Sequence, residues 1–75
     1  MFIMTQDRKG LINLDNVLEI YYEELIDDSI AYYIEDKWGN EIRIACYENT
    51  KGHKNQIEKI AHCIGATDVY YMPEE

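Results

Sequence analysis

The 75-residue sequence has few cysteines, one proline and no long apolar run. Its two cysteines are too few for the disulfide scaffold of a small secreted domain. No apolar run approaches the roughly 20 residues of a membrane-spanning helix. The first residues also lack the basic start and the apolar run of about 7–15 residues that a signal peptide needs. We therefore expect a cytoplasmic protein with reduced thiols and no membrane partner.

Positive charge is absent from residues 15–36, which contain eight acidic residues and neither Lys nor Arg. The rest of the chain has seven acidic and seven basic residues, so this segment accounts for the whole net charge of −8. Nucleic acids and anionic membranes bind basic patches that neutralise their phosphates, so we expect no direct contact with either. Two interpretations of the acidic segment stay open: a face that keeps the protein soluble, or a face that binds a partner.

Hydrophobic residues make up 47% of the sequence, which is typical of a folded globular protein. The length predicts a single domain over residues 1–75. Residues 17–24, 29–36 and 41–47 alternate between apolar and polar side chains, which predicts three strands with one buried face. Short turns between them predict an antiparallel meander. The expected inward residues are Leu18, Ile20 and Tyr22, then Ile30, Tyr32 and Ile34, then Ile42, Ile44 and Cys46.

The spacing becomes helical after the third strand. An apolar stripe recurs at i, i+3, i+4 and i+7, formed by Ile57, Ile60, Ala61 and Ile64. It predicts a helix over residues 51–64 that packs this stripe against the sheet. Asn49 or Thr50 is the expected N-cap, and Gly65 the expected left-handed residue after the helix.

The two ends of the chain add short strands. Residues 2–6 and 11–14 flank a turn that ends in Gly10, which predicts a hairpin, with a further turn at residues 15–16. Residues 68–72 are rich in β-prone side chains and predict a last strand before Pro73. The fold class is therefore α+β, a small antiparallel sheet of four to six strands packed on one C-terminal helix.

Residues that carry chemistry are few. The soft metal ligands are His53, His62, Cys46 and Cys63, with no C-x2-C pair among them, and Cys46 is expected in the core. Ser29 is the only serine, and no motif sets a base beside a nucleophile. We expect no enzymatic activity, no catalytic residue, no metal site and no cofactor.

Tyrosine is abundant, with seven residues of which six form adjacent pairs. Neighbours in a strand point to opposite faces, so one ring of each strand pair points outward. The outward rings Tyr21, Tyr33 and Tyr47 then share a face with Glu19, Glu23, Glu35 and Glu41. Tyrosine is enriched at protein interfaces. We expect a non-enzymatic interaction module that self-associates or regulates a protein partner. The expected partner-binding residues are Glu19, Tyr21, Glu23, Tyr33, Glu35 and Tyr47. The alternative is aromatic packing that only stabilises the sheet.

Residues 1–17, MFIMTQDRKGLINLDNV, resemble the start of a group of short uncharacterised proteins from low-GC Gram-positive bacteria and their phages. The resemblance lies in Met1-Phe2-Ile3, in Thr5-Gln6-Asp7 and in the run from Leu11 to Val17, and it is looser to the end of the helix. It implies a similar small α+β fold and a mobile-element origin. It implies no catalytic residue, ligand or activity.

A second functional hypothesis combines this phage link with the acidic segment. Carboxylates spaced along strands can imitate a row of phosphates. The chain would then be a nucleic-acid-mimicking inhibitor, for example a phage anti-defence protein that occupies the basic channel of a host nuclease. Binding of that kind weakens steeply with salt.

Overall fold

The computed structural model describes residues 1–49 and 52–74. In this part of the chain the fold is α+β, as the sequence predicts, with six strands and one α-helix. The elements are β1 (Phe2–Met4), β2 (Leu11–Asn13), a 3-10 helix (Leu14–Asn16), β3 (Val17–Glu24), β4 (Ser29–Asp36), β5 (Glu41–Glu48), α1 (Gln56–Cys63) and β6 (Val69–Tyr71).

The described strands form two three-stranded sheets, so the prediction of one sheet of four to six strands is wrong. β3, β4 and β5 form the expected antiparallel meander, here called the meander sheet. β1 pairs with β2 antiparallel, as predicted, and with β6 in parallel, giving the mixed sheet of order β2-β1-β6. Alternation along the chain identifies strands, but it carries no information about which distant strands pair.

Gln6 explains why the two sheets stay separate. Its backbone N–H donates to the carbonyl of Ile44 on β5 at 2.9 Å. Its side-chain Oε1 accepts from the N–H of Cys46 at 2.7 Å, in place of the next backbone bond that a continuing strand would make. The chain past β1 therefore touches β5 at one point and then turns away.

The core lies between the two sheets and α1. It consists of Ile3, Ile30, Tyr32, Ile34, Ile44, Ala45, Tyr47, Ile60 and Met72. Burial of these side chains is the main favourable contribution to folding, at about 25 cal/mol per Å² of apolar surface removed from water. Several side chains from both sheets, including Ile12, Ile20 and Tyr70, pack against this core while staying partly exposed.

Two β-bulges change which side chains face the core. In β3 the register shifts between Val17 and Glu19, so Val17 packs on the core and Leu18 is 71% exposed, contrary to the prediction. In β5 the shift falls around Ile44, so that Ile44 and Ala45 are both buried. Because a bulge inserts one residue, the alternation beyond it is reversed.

The reversed alternation in β5 exchanges the sheet faces predicted for Cys46 and Tyr47. Tyr47 is 4% exposed and belongs to the core, so the prediction that it points outward is wrong. Cys46 pairs with Ala31 on the opposite face and is half-buried, so its predicted core position is also wrong. Both cysteines are free thiols.

The helix is shorter than predicted. It begins at Gln56, after an N-cap at Asn55, whereas two residues of the predicted start, Thr50 and Lys51, lie outside the described residues. Tyr32 explains the late start, because its hydroxyl donates to the carbonyl of His53 and holds that segment against β4.

The buried stripe of α1 also differs from the prediction. Gln56 and Ile60 are its buried residues, one turn apart, and Ile57 packs on the core from the side. Ala61 and Ile64 are exposed, so their predicted core positions are wrong. Gly65 follows the helix with φ of 81°, as its predicted left-handed role requires.

Candidate protein-binding surface

The outer face of the meander sheet carries two rows of side chains that run across all three strands. In one row Tyr33 lies between Tyr21 and Arg43. In the other, Glu35 lies between Glu19 and Glu41. We call this surface, with Glu23 on β3, the acidic tyrosine face. It brings together five of the six predicted partner-binding residues, Glu19, Tyr21, Glu23, Tyr33 and Glu35.

Tyr21 and Tyr33 form the centre of this face. Their ring centroids lie 5.4 Å apart with the planes inclined by 21°, which is a stacked cross-strand pair. Both residues are half-buried, so the stack leaves aromatic surface in contact with water. Such a pair contributes to sheet stability, and it also provides a rigid, partly apolar platform.

The hydroxyl of Tyr21 donates to the carboxylate of Glu41 on β5, two strands away. This hydrogen bond raises the pKa of Tyr21 to about 12, with smaller contributions from burial and from the charges of Glu41, Glu23 and Glu35. The phenol therefore stays protonated at neutral pH and keeps Glu41 in place beside the stack. Tyr21 therefore has two roles. Its ring is half of the aromatic platform, and its hydroxyl orients the carboxylate of Glu41.

Like charges lie directly opposite each other in the acidic row. Glu35 pairs in register with Glu19 on one side and with Glu41 on the other, an arrangement that destabilises a sheet. Within residues 1–49 and 52–74, no cationic nitrogen lies within 4.0 Å of the carboxylates of Glu19, Glu23 or Glu35. A cationic ligand would relieve this repulsion.

Tyr47, the sixth predicted residue, lies on the other side of the sheet. Its hydroxyl donates to the carbonyl of Pro73 at 2.6 Å, and its ring centroid lies 4.3 Å from that of His53. Burial raises the pKa of Tyr47 well above its ordinary value. It therefore holds the C-terminal segment rather than contributing to the acidic tyrosine face.

Sequence reasoning left Glu41 and Arg43 out of the predicted site. The alternation of apolar and polar side chains over residues 41–47 already placed Glu41 and Arg43 on the outer face. Only the strand register shows that Arg43 lies beside Tyr33 and Glu41 beside Glu35. Arg43 is the one cation in these rows. It lies on β5 beside Tyr33, so the members of these two rows on β3 and β4 include no basic residue.

The edge of β3 that faces away from β4 has no strand beside it in the described part of the chain. The N–H of Leu25 donates to the carbonyl of Ser29, which marks a hydrogen-bonded pair at the end of the β3–β4 ladder. Alternation from that pair directs the backbone groups of Tyr22 and Ile20 to the free edge. An eight-residue strand with one free edge can accept another extended chain.

Comparison with protein-family models, with curated proteins and with solved structures found no match to this chain. Among residues 1–49 and 52–74, no three His, Cys, Asp or Glu side chains form a group that could hold a metal ion. In the same ranges no helix is long and apolar enough to cross a membrane.

Proposed function

We propose that this protein is a non-enzymatic interaction module that binds a basic, extended segment of a partner protein. The observation that carries the proposal is the half-buried Tyr21–Tyr33 stack, with the in-register row Glu19–Glu35–Glu41 beside it. Lysine or arginine side chains of the partner would neutralise the row. Arginine would also stack on the tyrosine rings by a cation–π contact.

The free edge of β3 suggests how such a segment would bind. An extended chain that adds to this edge makes backbone hydrogen bonds, and its alternate side chains point toward the acidic tyrosine face. Basic residues at every second position would then lie beside Glu19, Tyr21 and Glu23. Backbone pairing supplies affinity, and the carboxylates select for cationic side chains.

Charge argues against a second copy of the chain on the same edge. β3 carries Glu19, Glu23 and Glu24 and no basic residue. Antiparallel pairing of two β3 strands would place three carboxylates of each copy along one short ladder. Like charges facing each other across strands are destabilising, so a basic partner is favoured over self-association at this surface.

The experiment measures binding of a ten-residue peptide that alternates Lys and Val, by isothermal titration calorimetry at low and high salt. The test variant is the triple change Glu19→Gln, Glu23→Gln and Glu35→Gln. The matched control removes the same charge elsewhere with Asp15→Asn, Glu48→Gln and Glu58→Gln. We expect the test variant to weaken binding by about tenfold, which corresponds to about 1.4 kcal/mol, and the control to change it little. Equal weakening by both variants, or no binding by the wild type, would refute the proposal.

The nucleic-acid-mimicking inhibitor is the second candidate. Neighbouring strands lie about 4.8 Å apart, so the row Glu19–Glu35–Glu41 is a closely spaced line of negative charge. The two functions differ in their use of the tyrosines. Replacing Tyr21 and Tyr33 with Ser should abolish binding of the peptide by an interaction module. The same change should leave capture of a host nuclease intact if the chain mimics nucleic acid.

A further inference from the structure

The free edge of β3 has a core side as well as the acidic tyrosine face. Ile20, Tyr22 and Glu24 lie on that side, each paired in register with a buried residue of β4. A strand that adds to the edge of β3 also has two sides, because its successive side chains point to opposite faces of the sheet. One side therefore meets the acidic tyrosine face, and the other meets Ile20, Tyr22 and Glu24.

The core side of β3 leaves apolar side chains in contact with water. Tyr22 is 44% exposed, although its ring centroid lies 5.8 Å from that of the buried Tyr32. Ile20 packs against the core and is partly exposed. Within residues 1–49 and 52–74 no further strand lies beside them, so the core layer ends at these two side chains.

The acidic residue on the core side already has a cationic partner. Nζ of Lys54, in the segment before α1, lies 3.8 Å from Oε1 of Glu24. In the described part of the chain no cation lies this close to Glu19 or Glu23, on the outer side of the same strand. A basic side chain of a partner is therefore attracted to the outer side of β3, whereas on the core side it would meet Lys54.

We propose, on the basis of the interaction function above, that the partner segment is an amphipathic strand in which basic and apolar residues alternate. Its basic side chains lie beside Glu19, Tyr21 and Glu23, and its apolar side chains cover Ile20 and Tyr22. The partner thus adds a fourth strand to the meander sheet and extends the core by one row. A uniformly basic segment binds less well, because half of its charges would lie over apolar surface.

The geometry of β3 also sets the length of the segment. Its register with β4 runs without a shift over residues 19–24, between the bulge after Val17 and the turn that begins at Leu25. Residues 19, 21 and 23 of this stretch face outward, and residues 20 and 22 face the core with residue 24. The recognised segment therefore has about six residues, with three basic side chains on one side and two apolar side chains on the other.

The test compares two ten-residue peptides by isothermal titration calorimetry on the wild-type chain. One alternates Lys with Val, and the other alternates Lys with Thr. Threonine keeps the branched shape and the β propensity of valine but replaces a methyl group with a hydroxyl. We expect the Lys–Thr peptide to bind about tenfold more weakly. High salt should weaken both peptides and leave this ratio unchanged, because salt does not screen the apolar contact.

Tyr22→Thr removes the aromatic ring from the core side and keeps a β-forming residue. It should weaken binding of the Lys–Val peptide by about tenfold and that of the Lys–Thr peptide much less, since the lost contact is the one with valine. Tyr71→Thr is the matched control, because Tyr71 is an exposed tyrosine on the mixed sheet. It should change the binding of neither peptide.

The outcomes separate the amphipathic segment from the interaction function itself. Equal binding of the two peptides to the wild type would overturn the amphipathic segment and leave the interaction function standing. Equal weakening by Tyr22→Thr and Tyr71→Thr would overturn it as well. Binding of neither peptide would refute both proposals. Circular dichroism checks that Tyr22→Thr folds, and the comparison of the peptides on the wild type decides the matter if it does not.

Discussion

The hydroxyl oxygen of Tyr32 accepts a hydrogen bond from the backbone N–H of Gln56, 3.3 Å away. Gln56 is the first residue of α1, and the side chain of its N-cap Asn55 makes no capping hydrogen bond. The first N–H groups of a helix have no partner within the helix, so a core tyrosine here supplies what a capping side chain normally does. The same hydroxyl donates to the carbonyl of His53, and so one atom links β4 to the start of the helix.

Tyr32→Phe should therefore destabilise the fold. It removes both hydrogen bonds and leaves a buried N–H without its partner, which costs about 1–3 kcal/mol. Chemical denaturation followed by circular dichroism measures the loss. Tyr22→Phe is the matched control, because Tyr22 is an exposed residue whose ring packs against that of Tyr32 at 5.8 Å. Similar losses in the two variants would contradict the capping role of Tyr32.

Ile60→Ala should have a larger effect. Ile60 is fully buried and attaches α1 to the core, so the lost transfer energy and the cavity together cost about 2–5 kcal/mol. That is a large fraction of the stability of so small a domain. Ile64→Ala removes the same atoms from an exposed position after the helix and should cost far less. A thermal melt that Ile60→Ala leaves unchanged would refute the placement of α1.

The raised pKa of Tyr21 predicts a specific pH dependence. An unfolded tyrosine loses its proton near pH 10, whereas Tyr21 in the folded chain keeps it to about pH 12. The stabilisation from its hydrogen bond is thus fully present below pH 10 and is lost as pH rises through 12. Glu41→Gln removes the main cause and should lower the pKa of Tyr21.

The ring carbon that bears the Tyr21 hydroxyl reports this titration by NMR between about pH 9 and 12. Glu48→Gln is the control, since it removes an equal charge from the same strand at the far end from Glu41. An unchanged titration of Tyr21 in Glu41→Gln would contradict the assigned hydrogen bond. If Glu48→Gln lowered the pKa of Tyr21 by the same amount, the raised pKa would be due to the net charge of the protein and not to the hydrogen bond with Glu41.

The sequence predicts the meander because each of its three strands has eight residues, long enough for alternation to be clear. It does not predict the bulge at Ile44, because Ile44, Ala45, Cys46 and Tyr47 are all residues that a core accepts. Polarity therefore gives no sign of where the alternation reverses, and Tyr47 is misplaced. Glu19, Tyr21, Glu23, Tyr33 and Glu35 lie on strands where charge and tyrosine alternate with apolar residues, so their common face is predictable.

The mixed sheet is harder to predict for a different reason. Its strands have three residues each, too few for a periodic signal. The parallel pairing of β1 with β6 also joins the two ends of the chain, a contact that no local pattern encodes. The apolar residues Phe2, Leu11 and Tyr71 look like core residues in the sequence. Only the register shows that they share an outward face.

Gln6 makes the two edges of the meander sheet unequal. Its backbone and side chain occupy the carbonyl of Ile44 and the N–H of Cys46 in the middle of β5, and its Nε2 donates to the carbonyl of Glu74. A sheet with two open edges can be extended strand after strand, as in a fibril. Among the described residues the middle of the β5 edge is therefore already occupied by the chain itself, and an added strand is directed to the edge of β3.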